Sequence, residues 1–283
     1  MKFIGIGDNV ADRYINQRIM YPGGNAVNFS VFAKECGEDS AYLGIIADDR
    51  EGRMIKKALE KKNVDTTFSP LVKGCATERC DVELIEGDRH FVGSGYGPGE
   101  KKSFTLSESH LEYLKNFDAI HCGCYSEMED EIVKLDDIPG LKTFDFSEEE
   151  EYREDSFLQK ILPFIDIALF SGASMDAEEE KELWQKVLRF GTGHMLVTRG
   201  ILGQRFFCRS GSYRGIVRET EPLDTMGAGD SFFAAFLVSL MRSGLKRDID
   251  PDEAIIEEAF RKAADFSAEN CKRRGSFGFG ERY

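Results

Sequence analysis

Apolar positions along this chain fall into two alternating rhythms. Short apolar runs predict buried strands: "KFIGIG" near the start, "AYLGII" at 41–46, then "FDAIHCG", "LKTFDFS", "IDIALFS" and "HMLVTRG". Between them lie stretches with helical spacing. From Asn25, "NAVNFSVFAKEC" puts Val27, Val31 and Phe32 on one face, and Gly37 closes the run. Further helices are predicted over about 51–62, 126–135, 152–162, 176–190, 228–242 and 252–270, with one more strand near "VDTTF". Strands alternating with helices imply an α/β fold built on a doubly wound, mostly parallel sheet.

The rhythm breaks between about 75 and 99. "CATERCDVELIEGDRHFVGSGYGPG" predicts two strands around a Gly87-Asp88 turn, with "GYGPG" as a loop. A hairpin of this kind leaves the main sheet, so it is expected to form a small β lid, joined by strands from about 9–22. A second hairpin is expected in "GQRFFCRSGSYRGIV", turning at Ser210-Gly211. No repeat or linker divides the 283 residues, so the expectation is a single α/β domain with lid strands inserted in it.

Charge narrows the partners. With 51 acidic and 37 basic residues, the formal net charge is -14. That excludes nucleic acid and anionic membranes as partners of the surface as a whole, while leaving room for a local phosphate pocket. No apolar run reaches the roughly 18 residues of a membrane span, and the N-terminus "MKFIGIGDNV" lacks a signal-like apolar core, so a cytoplasmic protein is expected. The seven cysteines form no CxxC pair and are expected to be free buried thiols. The four histidines lack zinc-motif spacing, and none is assigned a metal. The acidic run Glu148 to Glu151 is expected to start a solvated helix.

The chemistry concentrates in "DTMGAGDSFF", Asp224 to Phe233. The following run is apolar on nearly every side, which predicts a buried helix. Its first N–H groups have no partners within the helix, and Gly227, Ala228 and Gly229 leave them open to an oxygen-rich anion such as a phosphate. Asp230 stands in that first turn. A carboxylate repels a phosphate, so its place beside one makes sense if it accepts the proton of a hydroxyl attacking that phosphate. Local chemistry alone leaves a second role open, a helix cap that merely offsets the dipole.

"DTMGAGDSF" resembles the C-terminal signature of the ribokinase-like, or PfkB, carbohydrate kinases, and "PGGNAVNFSVFA" resembles their N-terminal signature about 200 residues earlier. "VTRGILG", with Thr198, Gly200 and Gly203, resembles their strand-end element along the nucleotide. The resemblance covers essentially the whole chain. It implies that Asp230 is the general base and that Gly227, Ala228 and Gly229 form the anion hole. It further implies that Asp12, Gly24, Asn25 and Asn28 bind sugar hydroxyls, and that Asn270 joins Thr198, Gly200, Gly203, Gly227 and Gly229 at ATP. Asp12 is expected after the first strand, at the carboxyl edge of the sheet. The implied cofactors are ATP and Mg2+, with a monovalent cation as an addition; the implied partners are a sugar or sugar-amine and a second copy paired through lid strands.

One departure stands out. Where the family commonly has Asn-x-x-Glu, this chain has Ser171-Gly172-Ala173-Ser174, which leaves the groups around magnesium unassigned. Within the family, "IGDNVADRY", "DDREG", "GDRHF" and "TFDFS" resemble the branch acting on ketoamines such as fructoselysine. That branch would phosphorylate the C6 hydroxyl, and Arg89 is expected to meet the substrate's carboxylate. A fructokinase-like or nucleoside kinase, and a ligand-binding member without turnover, are the alternatives.

Overall fold

The computed structural model describes residues 1–247 and 249–283. β1 (Lys2–Ile6) is followed by the antiparallel pair β2 (Val10–Tyr14) and β3 (Ile19–Gly23), then by α1 (Asn25–Glu35). Next come β4 (Asp39–Leu43), β5 (Ile46–Ala47), α2 (Arg50–Lys61) and β6 (Leu71–Val72). The hairpin β7 (Glu78–Ile85) and β8 (Asp88–Tyr96) leads to α3 (Glu108–Leu114). The parallel core continues through β9 (Ala119–Gly123), β10 (Leu141–Asp145), α4 (Asp155–Ile161), β11 (Ile167–Ser171), α5 (Ala177–Arg189) and β12 (His194–Thr198). The hairpin β13 (Gln204–Cys208) and β14 (Gly211–Arg214), the helices α6 (Ala228–Arg242) and α7 (Glu253–Asn270), and β15 (Glu281–Arg282) complete the chain.

Eight strands form the main sheet in the order β14-β13-β12-β11-β10-β9-β1-β4. It is parallel from β12 to β4 and antiparallel at β13 and β14. The alternation of side chains along β1 explains its two cores. Phe3 faces the layer of α1, α6 and α7, with Phe29, Phe233 and Phe260, whereas Ile4 and Ile6 face the layer holding Phe144, Phe170 and Trp184. Chain order reverses about β1, so the crevice beyond the carboxyl ends of β1 and β9 is where such a sheet takes ligands. A second sheet, β15-β3-β2-β7-β8, stands over that crevice.

The sequence places most elements correctly, and its misses have physical causes. Residues 126–135 form no α-helix. Glu127 is left-handed (φ 49°), which breaks any helix there, and 3-10 turns at Cys124–Ser126 and Ile132–Leu135 take its place, although Met128, Ile132 and Leu135 are buried at the helix-like spacing the sequence shows. "VDTTF" contributes only a single bridge, Asp65 to Ala41. The helix expected from 152 starts at Asp155, after a 3-10 turn at Glu150–Arg153. The hairpin turn sits at Glu86-Gly87, one residue early. α3 and β15 are additions: α3 is nucleated by a reciprocal Ser107–His110 cap, and β15 is two residues long. All seven cysteines are free, and no helix among the described residues is long and apolar enough to cross a membrane.

Candidate active site

α6 begins where the sequence puts it, and Ser231 through Leu240 are all buried. Gly227 stands before it in the left-handed region (φ 72°), where a Cβ would come within 2.9 Å of the Ser276 side chain. Only glycine is comfortable there. The Gly227 N–H has no partner among the described residues, and Gly227 and Gly229 both line the cleft between the two sheets. Ala228 differs from expectation: its N–H donates to Thr225 O at 3.1 Å and closes the turn. The open donors are thus those flanking it.

Asp230 is not a cap. Its carboxylate accepts from Asn28 Nδ2 at 2.6 Å and Asn25 Nδ2 at 3.1 Å, and no side chain caps α6. The two amides expected to meet sugar hydroxyls therefore also hold the carboxylate in place. Asn28 keeps a buried Oδ1 without a partner among the described residues, which leaves an acceptor open at this place.

Behind Asn25 lies a chain of contacts fixed by elementary chemistry. Asn25 Nδ2 lies 2.7 Å from Asp145 Oδ2 as well as near Asp230, so the amide nitrogen, not the oxygen, must face the carboxylates. Its Oδ1 then faces His121 Nε2 at 2.7 Å, which requires the Nε2–H tautomer. His121 Nδ1 accepts from the Thr143 hydroxyl at 2.8 Å. Burial pushes the His121 imidazole down to about 3, so it stays neutral.

Asp12 sits elsewhere than expected. It lies within β2 of the upper sheet, 5% exposed, facing the cleft. The acid that follows β1, two residues past its end, is Asp8, which the sequence reading missed. Its carboxylate accepts from Asn25 N (2.6 Å), Ala26 N (3.2 Å) and Ser126 Oγ (3.0 Å), so it anchors the start of α1. Gly24 precedes that helix at φ 103°, where a Cβ would come within 2.8 Å of Asn9 Cα.

The remaining expected residues are spread around the cleft. Thr198 lines it, whereas Gly200 and Gly203 lie in the 3-10 turn just after β12. Asn270 ends α7, fully buried outside the cleft wall, with both amide atoms unpartnered. Arg89 Nη1 donates to Thr225 O and Oγ1, both at 3.2 Å, and its charge reaches Asp12 and Asp230. The acidic run after β10 is less solvated than expected, since Glu148, Glu149 and Glu151 line the cleft too.

Crowded carboxylates leave an electrostatic signature. Burial, with the charges of Asp224 and Asp230, pushes Asp12 up to about 8. Burial and the Asp230 charge push Asp145 up to about 7. Burial pushes Asp230 up to about 6, against the hydrogen bond from Asn28. The unfolded carboxylates titrate near 3.8, so above about pH 6.5 the folded state still holds protons that the unfolded state has lost. Stability therefore falls as pH rises from about 6.5 to 8. Buried His121 and His194, pushed down from 6.5, pull the opposite way only below that window. Melting temperatures of the ligand-free protein across it check this; a rise would mean that Asp12 and Asp145 ionise without cost.

Comparison with known proteins places the chain in a family. The pattern described as pfkB family carbohydrate kinase matches residues 3–135 and 166–278. The chain is 33% identical to fructosamine kinase FrlD of Bacillus subtilis (strain 168), over 100% of this chain and 95% of that protein. It is 32% identical to fructoselysine 6-kinase of Escherichia coli (strain K12), over 82% and 86%. Its fold matches a fructokinase with bound ATP from Xylella fastidiosa with a TM-score of 0.81, at 17% identity and covering 98% of this chain and 94% of the other. It also matches Arabidopsis thaliana ribokinase complexed with ribose and ATP, at a TM-score of 0.77 and 18% identity, with the same coverage. The architecture is ribokinase-like, and this protein belongs to the pfkB family of carbohydrate kinases.

Proposed function

We propose that the protein transfers the γ-phosphoryl group of ATP to the C6 hydroxyl of a ketoamine sugar such as fructoselysine. The observation that carries this reading is Asp230, held by two amides beside the unpartnered N–H of Gly227. Asp230 accepts the hydroxyl proton as the oxygen attacks phosphorus. The Gly227 and Gly229 N–H groups and the Arg89 guanidinium meet the charge on the transferred group. Asp12 has no hydrogen-bond partner among the described residues, and with Asn28 Oδ1 it suits sugar hydroxyls. The choice of a ketoamine rests on the names of the two relatives that are about a third identical.

ATP brings Mg2+, which neutralises phosphate charge during transfer. Among the described residues no group of three or more His, Cys, Asp or Glu could hold a metal ion. That would fit an ion carried by the phosphates, for which Asp145, Ser171 and Thr198 of the cleft wall would be the protein groups at hand. A monovalent cation remains an expected activator. The work suits the cytoplasm, where ATP is plentiful. A second copy of the chain is the expected partner of the upper sheet, whose edge strand β8 leaves Phe91 and Val92 exposed.

A coupled ADP-release assay on fructoselysine, glucoselysine, fructose and ribose tests the proposal. Turnover greatest on fructoselysine supports it, a preference for fructose favours the fructokinase reading, and no turnover on any sugar removes the kinase reading. His121 gives a finer check. His121→Phe keeps the ring against Phe29 and Phe233, with centroids at 4.4 and 5.2 Å in the parent, but removes the donor to Asn25. Stability is expected to fall by about 1–3 kcal/mol in denaturant unfolding, the cost of stranding buried polar groups. The acid limb of kcat/KM should move upward as Asn25 loosens its hold on Asp230. An unmoved limb would make His121 a packing residue only.

A further inference from the structure

The cleft does not end at the sugar site. A recess of about 70 Å³ opens beside it, and the two share Asp8, Glu78, Tyr96, Lys101, Tyr125 and Glu127 in their walls. The order of contacts gives a direction. Asp230 is bonded to the Asn25 side chain, Asn25 N to Asp8, and the charge of Asp8 reaches Glu78. A hexose presenting its C6 hydroxyl to Asp230 turns its C1 substituent away from that carboxylate, and Asp8 and Glu78 mark where the wall continues.

Lid residues divide into two sets. Arg79 pairs with Glu51 at 2.8 Å, and Arg13 pairs with Asp81 at 2.6 Å, so these charges are spent away from the cleft wall. Glu78 faces the cleft and has no ion-pair partner among the described residues; its one contact is the Tyr96 hydroxyl at 3.3 Å. Lys101 lies 5.3 Å from the Tyr96 ring centroid and pairs with Glu127 across the mouth of the recess. The recess thus offers one carboxylate without an ion-pair partner and, close by, the ammonium of Lys101 on an exposed pair that a competing anion can open, with Lys102 beside it in the wall. Beyond them Ile45 and Phe104 supply apolar wall.

We infer that this recess receives the amino-acid end of the ketoamine, its ammonium at Glu78 and its carboxylate at Lys101. The inference rests on the ketoamine reading above. It moves recognition of the amino acid away from Arg89, whose guanidinium lies on Thr225 beside Asp12 and Asp230 and is absent from the recess wall. An amino acid is a zwitterion, and a site with a free acid beside basic groups selects it over a bare sugar by charge-assisted hydrogen bonds at both ends.

The test pairs two variants with four substrates: fructoselysine, its Nα-acetyl derivative, its α-carboxamide, and fructose. Glu78→Gln should raise KM for fructoselysine about tenfold, the scale of one charge-assisted contact in a partly exposed site. It should leave KM for the Nα-acetyl derivative and fructose nearly unchanged. Lys101→Met should raise KM for fructoselysine by a similar factor and spare the carboxamide and fructose. Equal shifts on all four substrates, or none on fructoselysine, overturn the subsite while ketoamine turnover keeps the functional reading. Turnover of fructose with none of any ketoamine overturns both. Because Lys101 is exposed, its variant keeps the test decisive even if Glu78→Gln folds poorly.

Discussion

Asp230→Asn is expected to lower kcat by roughly 10²–10⁴-fold, the usual scale for losing a positioned general base, while the protein stays folded. The substitution keeps the shape of the side chain and the oxygen that meets Asn28. It turns an amide toward Asn25, whose 3.1 Å contact is the longer of the two, so one donor faces another. That cost is offset, because the penalty of burying a charge, which lifts Asp230 to about 6, is gone. The net change in stability should be about 1 kcal/mol or less, read from denaturant unfolding. ATP should bind as well or better, since a charge repelling its phosphates is removed. In the parent enzyme kcat/KM should rise as pH passes through about 6, where the carboxylate ionises in the free protein. A variant that keeps near-parental kcat would show that the carboxylate is not the base.

The parts of this site that the sequence discloses are those whose chemistry is local. Gly-Ala-Gly before an apolar run announces a helix mouth open to an anion, and α6 begins at Ala228 as that pattern predicts. What stays hidden is built by residues far apart in the chain. His121 is one of four scattered histidines until the fold brings it to Asn25, 96 positions away. Asp145 looks like the end of a strand, and the fold, through the shared Asn25 amide and their mutual charge, ties it to Asp230. Asp8 could have been noticed, as an acid two residues beyond a parallel strand and opposite a helix start. Asp12, four residues on, drew attention instead, yet the chain has by then turned into the upper sheet. The upper sheet joins β2 to β7 across more than sixty residues of chain, a pairing that no local pattern specifies. The fold class was legible because strand and helix periods are local, whereas the lid strand β15 was not, being two residues that matter only in register with β3.

Asp224→Ala is expected to cost about 3–5 kcal/mol of stability. Asp224 opens the same motif as Asp230 but does different work. It is fully buried and accepts from the Tyr14 hydroxyl at 2.7 Å, from Gly275 N at 2.7 Å and from Met226 N at 2.9 Å. Those donors belong to strand β2 of the upper sheet, to the loop after α7 and to the turn that leads into Gly227. One carboxylate therefore fastens the lid, the C-terminal loop and the anion-binding turn together. Alanine leaves three buried donors unpaired, each costing about 1–3 kcal/mol, partly relieved by water entering the space. Asp224→Asn should be milder, because an amide oxygen can still accept two of the three bonds. The ordering Ala worse than Asn, read as midpoints of urea unfolding, distinguishes a fastener from a residue that merely fills space. Activity should follow a different pattern from Asp230→Asn: whatever Asp224→Asn molecules remain folded keep their base, so kcat per folded molecule should fall far less than stability predicts. If instead Asp224→Asn abolishes turnover in a protein that unfolds at the parental midpoint, Asp224 contributes to the chemistry directly and its fastening role is secondary.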